Sequence, residues 1–511
     1  MSRSARSVQS LKTGAIAQLL PIVAGYGTVL ISTPFVVGRL GLHDFGIWSM
    51  TGAIAQYAAL FDMGVSRAAN RNVALFHAKG DVKSEGAVVG ICISVLLLLG
   101  SVLIALSLAL PSFVERVLRT ENLELTRLLI LCATLITITG LIARVFAAAS
   151  IGRGRQVHAN IGLAILSTLQ ALGGVAALVI SPSLEAFAIG TAAGTFAGLA
   201  AVIIMILSDE KRLIMGLPNL ALARDILTFG INSQIAAAGA IMLLQSGKLI
   251  AGIMLGPAAA GVYELASRLA MGAQVLGAAI PGALMPHLTR SHIADGWVGV
   301  LDQYEYLTRR NAAVALFAPF AMAATAFSGI PLWLGTSKEQ VIYVLLALLP
   351  GIATNVSTGV CTSLLSAINR TGILAQVAVV GGVAQVAFAV ALGYSKGFIG
   401  LAIAFGIGVP LVNLASMWYM HSRAKIPMAM FFRGVSGPFG LAVTAFLLSF
   451  PIGILAAPDS RASAIWPFCG SAILFVAVYA TLGWRRDLLP KASWSAWRHV
   501  VAVRVKSRKP R

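Results

Sequence analysis

The residues able to do chemistry are few, and several sit where charge is costly. Hydrophobic residues make up 58 % of the chain and charged residues 11 %. The stretch "QSGKLIAGIMLG" (245–256) places Lys248 eight residues before Gly256, about 12 Å along a helix. An ionisable side chain in hydrocarbon costs from about 2.5 to over 10 kcal/mol. Two readings fit Lys248. Its ammonium could face a wet cavity and hold an anion such as a diphosphate by charge-assisted hydrogen bonds, or its stem could snorkel to the outer interface. Gln245, one turn earlier, could join either arrangement.

Glu264 and Arg268 are spaced i, i+4, on one helical face with the glutamate leading, the favourable order for an ion pair. Such a pair either neutralises itself structurally or opens, freeing Arg268 for a diphosphate or Glu264 for a proton. Asp62 in "FDMGVSR", followed by Arg67 and Arg71, could gate or couple to an ion, or form a surface network at a helix end. Arg144, with Arg153 and Arg155 beyond it, could meet an incoming diphosphate, although retention of positive charge in the cytoplasm also places arginines there. No catalytic constellation accompanies these groups. The four cysteines, Cys92, Cys132, Cys361 and Cys469, lie in apolar runs and imply neither a disulfide framework nor a metal site.

The elements that must carry these residues are membrane helices. Apolar runs repeatedly exceed 20 residues, longer than buried helices of soluble proteins, and only 9 Tyr and no ten-residue alternation argue for a barrel. The expected class is all-α, a polytopic membrane protein with about fourteen spans. Spans seven and eight, 226–255 and 258–286, hold Lys248 and the Glu264/Arg268 pair. An even count puts both ends on one side, and alternate loops gather most of the 38 Lys and Arg on that side, so both termini are expected in the cytoplasm. The first apolar run continues to Val37 and reads as an uncleaved span. A net charge of +20 spread over these loops and the basic tail points to anionic membrane lipids, not nucleic acid.

The sequence also repeats. At an offset of 215 residues, "GRLGLHDFGIWSM" (38–50) overlies "IMLGPAAAGVYEL" (253–265), pairing Leu40 with Leu255, Gly41 with Gly256, Gly46 with Gly261 and Trp48 with Tyr263. Thr33 then falls opposite Lys248. Both copies sit at the short outer turn between the first two spans of a six-span block, which predicts two parallel bundles, 1–210 and 211–425, two appended spans in 426–484 and a basic cytoplasmic tail, 485–511. Two such bundles can rock about a shared cavity, and Pro21, Pro34, Pro281, Pro319, Pro350 and Pro410 supply bends within spans.

"LGLHDFGIWSM…FDMGVSRAANRNVA" resembles the opening of Wzx-like polysaccharide flippases of the multidrug/oligosaccharidyl-lipid/polysaccharide exporter superfamily. Leu40, Gly41, Phe45, Gly46, Trp48, Asp62, Gly64, Arg71 and Ala74 carry the match. The resemblance implies a MATE/MurJ-like bundle pair without cofactors or catalysis. It also implies transbilayer movement of a polyprenyl-diphosphate-linked oligosaccharide, in the bacterial inner membrane and alongside other polysaccharide-assembly proteins. One departure is Lys248 itself, near a position where family members often carry an acid. Multidrug export and peptidoglycan-precursor flipping belong to the same superfamily. A membrane polymerase or ligase needs a catalytic outer domain, and the longest outer loop, about 111–126, is short. An ATP-driven pump needs a phosphate-cradling loop, which "GTSKEQ" (335–340) does not supply.

Overall fold

The computed structural model describes residues 3–58, 64–109, 111–120, 122–209, 216, 222–224, 226, 239, 242, 245–336, 338–368, 370–455 and 460–489. Every regular element among them is helical: α1 (Arg3–Ala58), α2 (Val65–Lys79), α3 (Val82–Ala109), α4 (Pro111–Leu118), α5 (Leu123–Gly152), α6 (Gln156–Ile180), α7 (Leu184–Asp209), α8 (Pro257–Ala315), α9 (Phe317–Leu334), α10 (Glu339–Ser357), α11 (Gly359–Ala367), α12 (Thr371–Ile403), a π-turn (Ala404–Gly408), α13 (Val409–Ala424), α14 (Met428–Leu455) and α15 (Arg461–Arg485). Residues 245–255 are helical as well. Ten helices among the described residues are long and apolar enough to cross a membrane, so this is a multi-pass membrane protein.

The sequence predicts about fourteen spans; among the described residues ten helices qualify, and some of these run well past a single crossing. The windows Val23–Tyr57 and Gly372–Ala424 are 35 and 53 residues long, against about 20 for one crossing. Each is broken by a glycine outside helical geometry: Gly41 at φ 77° in α1 and Gly397 at φ 57° in α12. Most of the seventh expected span lies outside the described residues, as do Asp62 and the tail from 490 onward.

Helix ends follow local chemistry. Asn122 caps α5 by accepting from the backbone N–H groups of Glu124 and Leu125 at 3.0 and 3.1 Å. Ser460 and Ser463 form a capping box at the start of α15.

The chain divides into two compact units. The first comprises Met1–Gly272, Lys338–Gly351 and Thr371–Ser416. A core of Val88, Ile91, Cys92, Leu96, Ala143, Val145, Ala149, Val202 and Ile206 joins α3, α5 and α7 there. The second comprises Ala273–Ser337, Ile352–Arg370 and Met417–Arg511. Its core joins α9, α14 and α15 through Leu441, Ala445, Phe475 and Tyr479, with Phe317 edge-on to Phe475 and Tyr479 at 5.5 and 5.3 Å. Within this core Ser471 donates to the Ala324 or Ser449 carbonyl, each at 3.0 Å, so its hydroxyl is satisfied in an apolar setting.

Inside the first unit the sequence repeat becomes a physical crossing. Gly41 and Gly256 both take left-handed φ, 77° and 101°, and each opens a helical segment. Five residues on, a Cβ at Gly46 would overlap the Pro257 carbonyl oxygen, and one at Gly261 would overlap that of Leu42. Leu42 and Pro257 are themselves repeat partners, so the contact is reciprocal and two matched helices meet backbone to backbone. The aromatic partners do equivalent jobs: Trp48 packs on Phe187 at 5.3 Å and Tyr263 on Phe405 at 5.1 Å.

Candidate functional site

The crossing brings α1, the segment 245–255 and the start of α8 together, and the intramembrane charges meet there. Lys248, 7 % exposed, donates from Nζ to Glu264 Oε2 at 2.9 Å. Arg268 Nε donates to Glu264 Oε1 at 2.8 Å, completing the i, i+4 pair expected from spacing. Arg268 Nη1 also donates to Thr33 Oγ1 at 2.7 Å, and its guanidinium stands 5.0 Å from the centre of the Phe45 ring. Thr33 is fully buried and donates in turn to the Val29 carbonyl at 2.6 Å. Lys248 therefore turns inward to a carboxylate and does not snorkel. Four residues singled out from sequence form one network across three helical segments, and Thr33, the repeat partner of Lys248, is in it.

Chemically this is one carboxylate shared by two cations, with a net charge of +1. Each cation addresses a different carboxylate oxygen, the spacing that a phosphate's neighbouring oxygens also offer. A lone buried carboxylate or ammonium is strongly disfavoured, so each group here makes the others tolerable. Gln245, 8 % exposed, lies within a turn of Lys248 and donates from Nε2 to Gln56 Oε1 at 2.6 Å, while its own Oε1 is buried without a partner. Gln56 was not marked by sequence reasoning, because no charged residue stands within a turn of it as Lys248 does of Gln245. The signal was nonetheless there, a polar side chain interrupting an apolar run.

The remaining candidates lie elsewhere. Arg67 and Arg71 are exposed on α2 and Arg144 is exposed on α5. Among the described residues the ion-pair partners of Glu264 are Lys248 and Arg268 alone. Asp62 falls outside the described residues. Arg153, beyond Arg144, is engaged by Glu85, which is 2 % exposed, at 2.5 Å, with His77 Nδ1 at 3.2 Å from the other oxygen of that carboxylate. That second buried ion group was not expected from sequence. Glu85 opens α3 next to polar residues, where an acid at a helix start is unremarkable.

Comparison with known proteins places this geometry in a setting. Among solved structures, an inward-closed lipid II flippase MurJ superposes with a TM-score of 0.66 at 13 % identity, covering 93 % of this chain and 99 % of that one. An inward-facing multidrug resistance MATE family transporter of the MOP superfamily superposes with a TM-score of 0.65 at 15 % identity, covering 80 % and 94 %. The fold is thus MATE/MurJ-like. An uncharacterized membrane protein, EpsK of Bacillus subtilis (strain 168), is 24 % identical over 470 residues, 87 % of this chain and 91 % of its own length. Residues 11–292, more than half of the length, match the polysaccharide biosynthesis protein family, and the chain belongs to that family.

Proposed function

We propose that this chain flips a polyprenyl-diphosphate-linked oligosaccharide from the cytoplasmic to the outer leaflet by alternating access, for assembly of a surface polysaccharide. Family membership and a fold shared with a lipid flippase and a drug transporter support movement of an amphiphile. The observation that carries the reading is the Lys248–Glu264–Arg268–Thr33 network. In this structure Glu264 engages both cations. An arriving diphosphate competes for Lys248 and Arg268, each of which forms stronger bonds to an anion than to a neutral group. Glu264, once displaced, takes a proton or water, and Gln245 lies within reach of the groups next to the phosphates. Asp62, Arg67, Arg71 and Arg144 act in this reading at the cytoplasmic entrance, as gate and first contact.

No covalent step is involved and no cofactor is called for. The protein sits in the inner membrane with both termini cytoplasmic, its basic loops and tail against anionic lipid headgroups and its neighbours other polysaccharide-assembly membrane proteins. A cationic drug is a poor fit to a network carrying net positive charge, which disfavours multidrug export. Deletion of the gene tests the assignment. Loss of a surface glycan, with its lipid-diphosphate precursor accumulating in the inner leaflet, is the expected result. Unchanged glycans with lost drug resistance would make the protein an exporter.

A further inference from the structure

The short helix α4, in a loop that the sequence leaves featureless, reaches across to the crossing of the two repeat-matched helices. Its last residue, Leu118, is fully buried against Met50 and Ala260, one from each copy of the repeat. The next, Arg119, has φ 54°, a conformation a non-glycine residue rarely adopts. From there its Nη2 donates to the Ile253 carbonyl at 2.6 Å and lies 3.5 Å from that of Met254. Those carbonyls end the helical segment 245–255, where no intrahelical donors remain and the helix dipole is negative. The hydroxyl of Ser49, the chain neighbour of Met50, is buried with no hydrogen-bond partner, as are the Ser246 hydroxyl and Gln245 Oε1 about two turns earlier in the segment. Such groups gain partners only when the packing admits water or a ligand.

We infer that α4 is a latch and Arg119 its catch: Leu118 and Arg119, from the first repeat, clip the turn that joins Lys248's segment to α8 and hold this end of the unit shut. The unsatisfied groups of Ser49 and of the 245–255 segment favour opening, and the Arg119 bond, exposed and reversible, opposes it. This rests on the proposed orientation, in which this end faces outward. Arg119 acts here as a positioning residue and touches no substrate.

The test is cysteine accessibility, independent of substrate. In a variant with Cys92, Cys132, Cys361 and Cys469 replaced by alanine, Ser49→Cys is labelled in intact cells with a membrane-impermeant maleimide. Arg119→Ala is expected to raise the labelling rate about tenfold, the factor implied by losing one hydrogen bond to a charged group. Leu118→Ala should act in the same direction, and Arg119→Lys should fall between. Equal rates in the parent, Arg119→Ala and Leu118→Ala would overturn the latch, and so would labelling confined to inside-out vesicles. Because no glycan is read out, a failure of the flippase assignment leaves this result standing, and the reverse also holds.

Discussion

Glu264 holds two cations that are not equivalent. Arg268 keeps Thr33 and Phe45 as well, whereas the carboxylate is the one partner of Lys248 among the described residues. Lys248→Met should therefore leave thermal stability nearly unchanged, since Glu264 stays paired, while flipping falls by a factor of about ten or more from loss of one charge-assisted contact. Glu264→Ala leaves the buried Lys248 and the half-buried Arg268 uncompensated and should cost about 3 kcal/mol of stability. The double variant Glu264→Ala/Lys248→Met should recover part of that loss, as measured by thermal unfolding in detergent, and simple additivity of the two changes would show that the residues are not coupled. Lys248, Glu264, Arg268 and Thr33 could all be marked in the sequence, because a polar or ionisable group in an apolar run demands an explanation. That one carboxylate serves both cations could not, because Lys248 and Glu264 lie on different helical segments. Arg119 was invisible for the opposite reason: an arginine in a polar loop is commonplace.

Helices are held by the glycine crossing as much as by apolar packing. Gly46→Ala and Gly261→Ala each drive a methyl into a backbone carbonyl, which cannot yield as a flexible side chain would, and each should cost about 1–3 kcal/mol. Gly440→Ala in α14 is the control. Nothing lies within 4 Å of its added Cβ, so stability should stay level or rise. In the second unit Phe475→Ala empties the junction of α9, α14 and α15 and should cost about 3–5 kcal/mol. The repeat offset marks the two stretches, because close approach and left-handed turns both select glycine at fixed spacing, but that the stretches cross each other is visible only in the fold. The breaks within α1 and α12 were legible too: Gly41 and Gly397 fall in the gaps between expected spans, 38–44 and 394–397, where Arg39, His43, Asp44 and Lys396 interrupt the apolar runs. The helix α4 was hidden because eight residues are too few for a periodic signal.

For the whole molecule, the fold narrows the function without choosing the cargo. A lipid II flippase and a multidrug transporter match it almost equally well, with TM-scores of 0.66 and 0.65, so substrate class must be argued from the site. The site holds two cations around one carboxylate, a net positive charge that suits an anionic cargo better than a cationic one. The most direct measurement is transbilayer transfer of a purified polyprenyl-diphosphate oligosaccharide in proteoliposomes, comparing the unaltered protein with Lys248→Met at equal protein content. Rapid transfer by the first and transfer slowed about tenfold or more by the second is the predicted result. Equal rates for the two proteins, or no transfer by either above protein-free vesicles, would contradict a cation-lined route for the diphosphate.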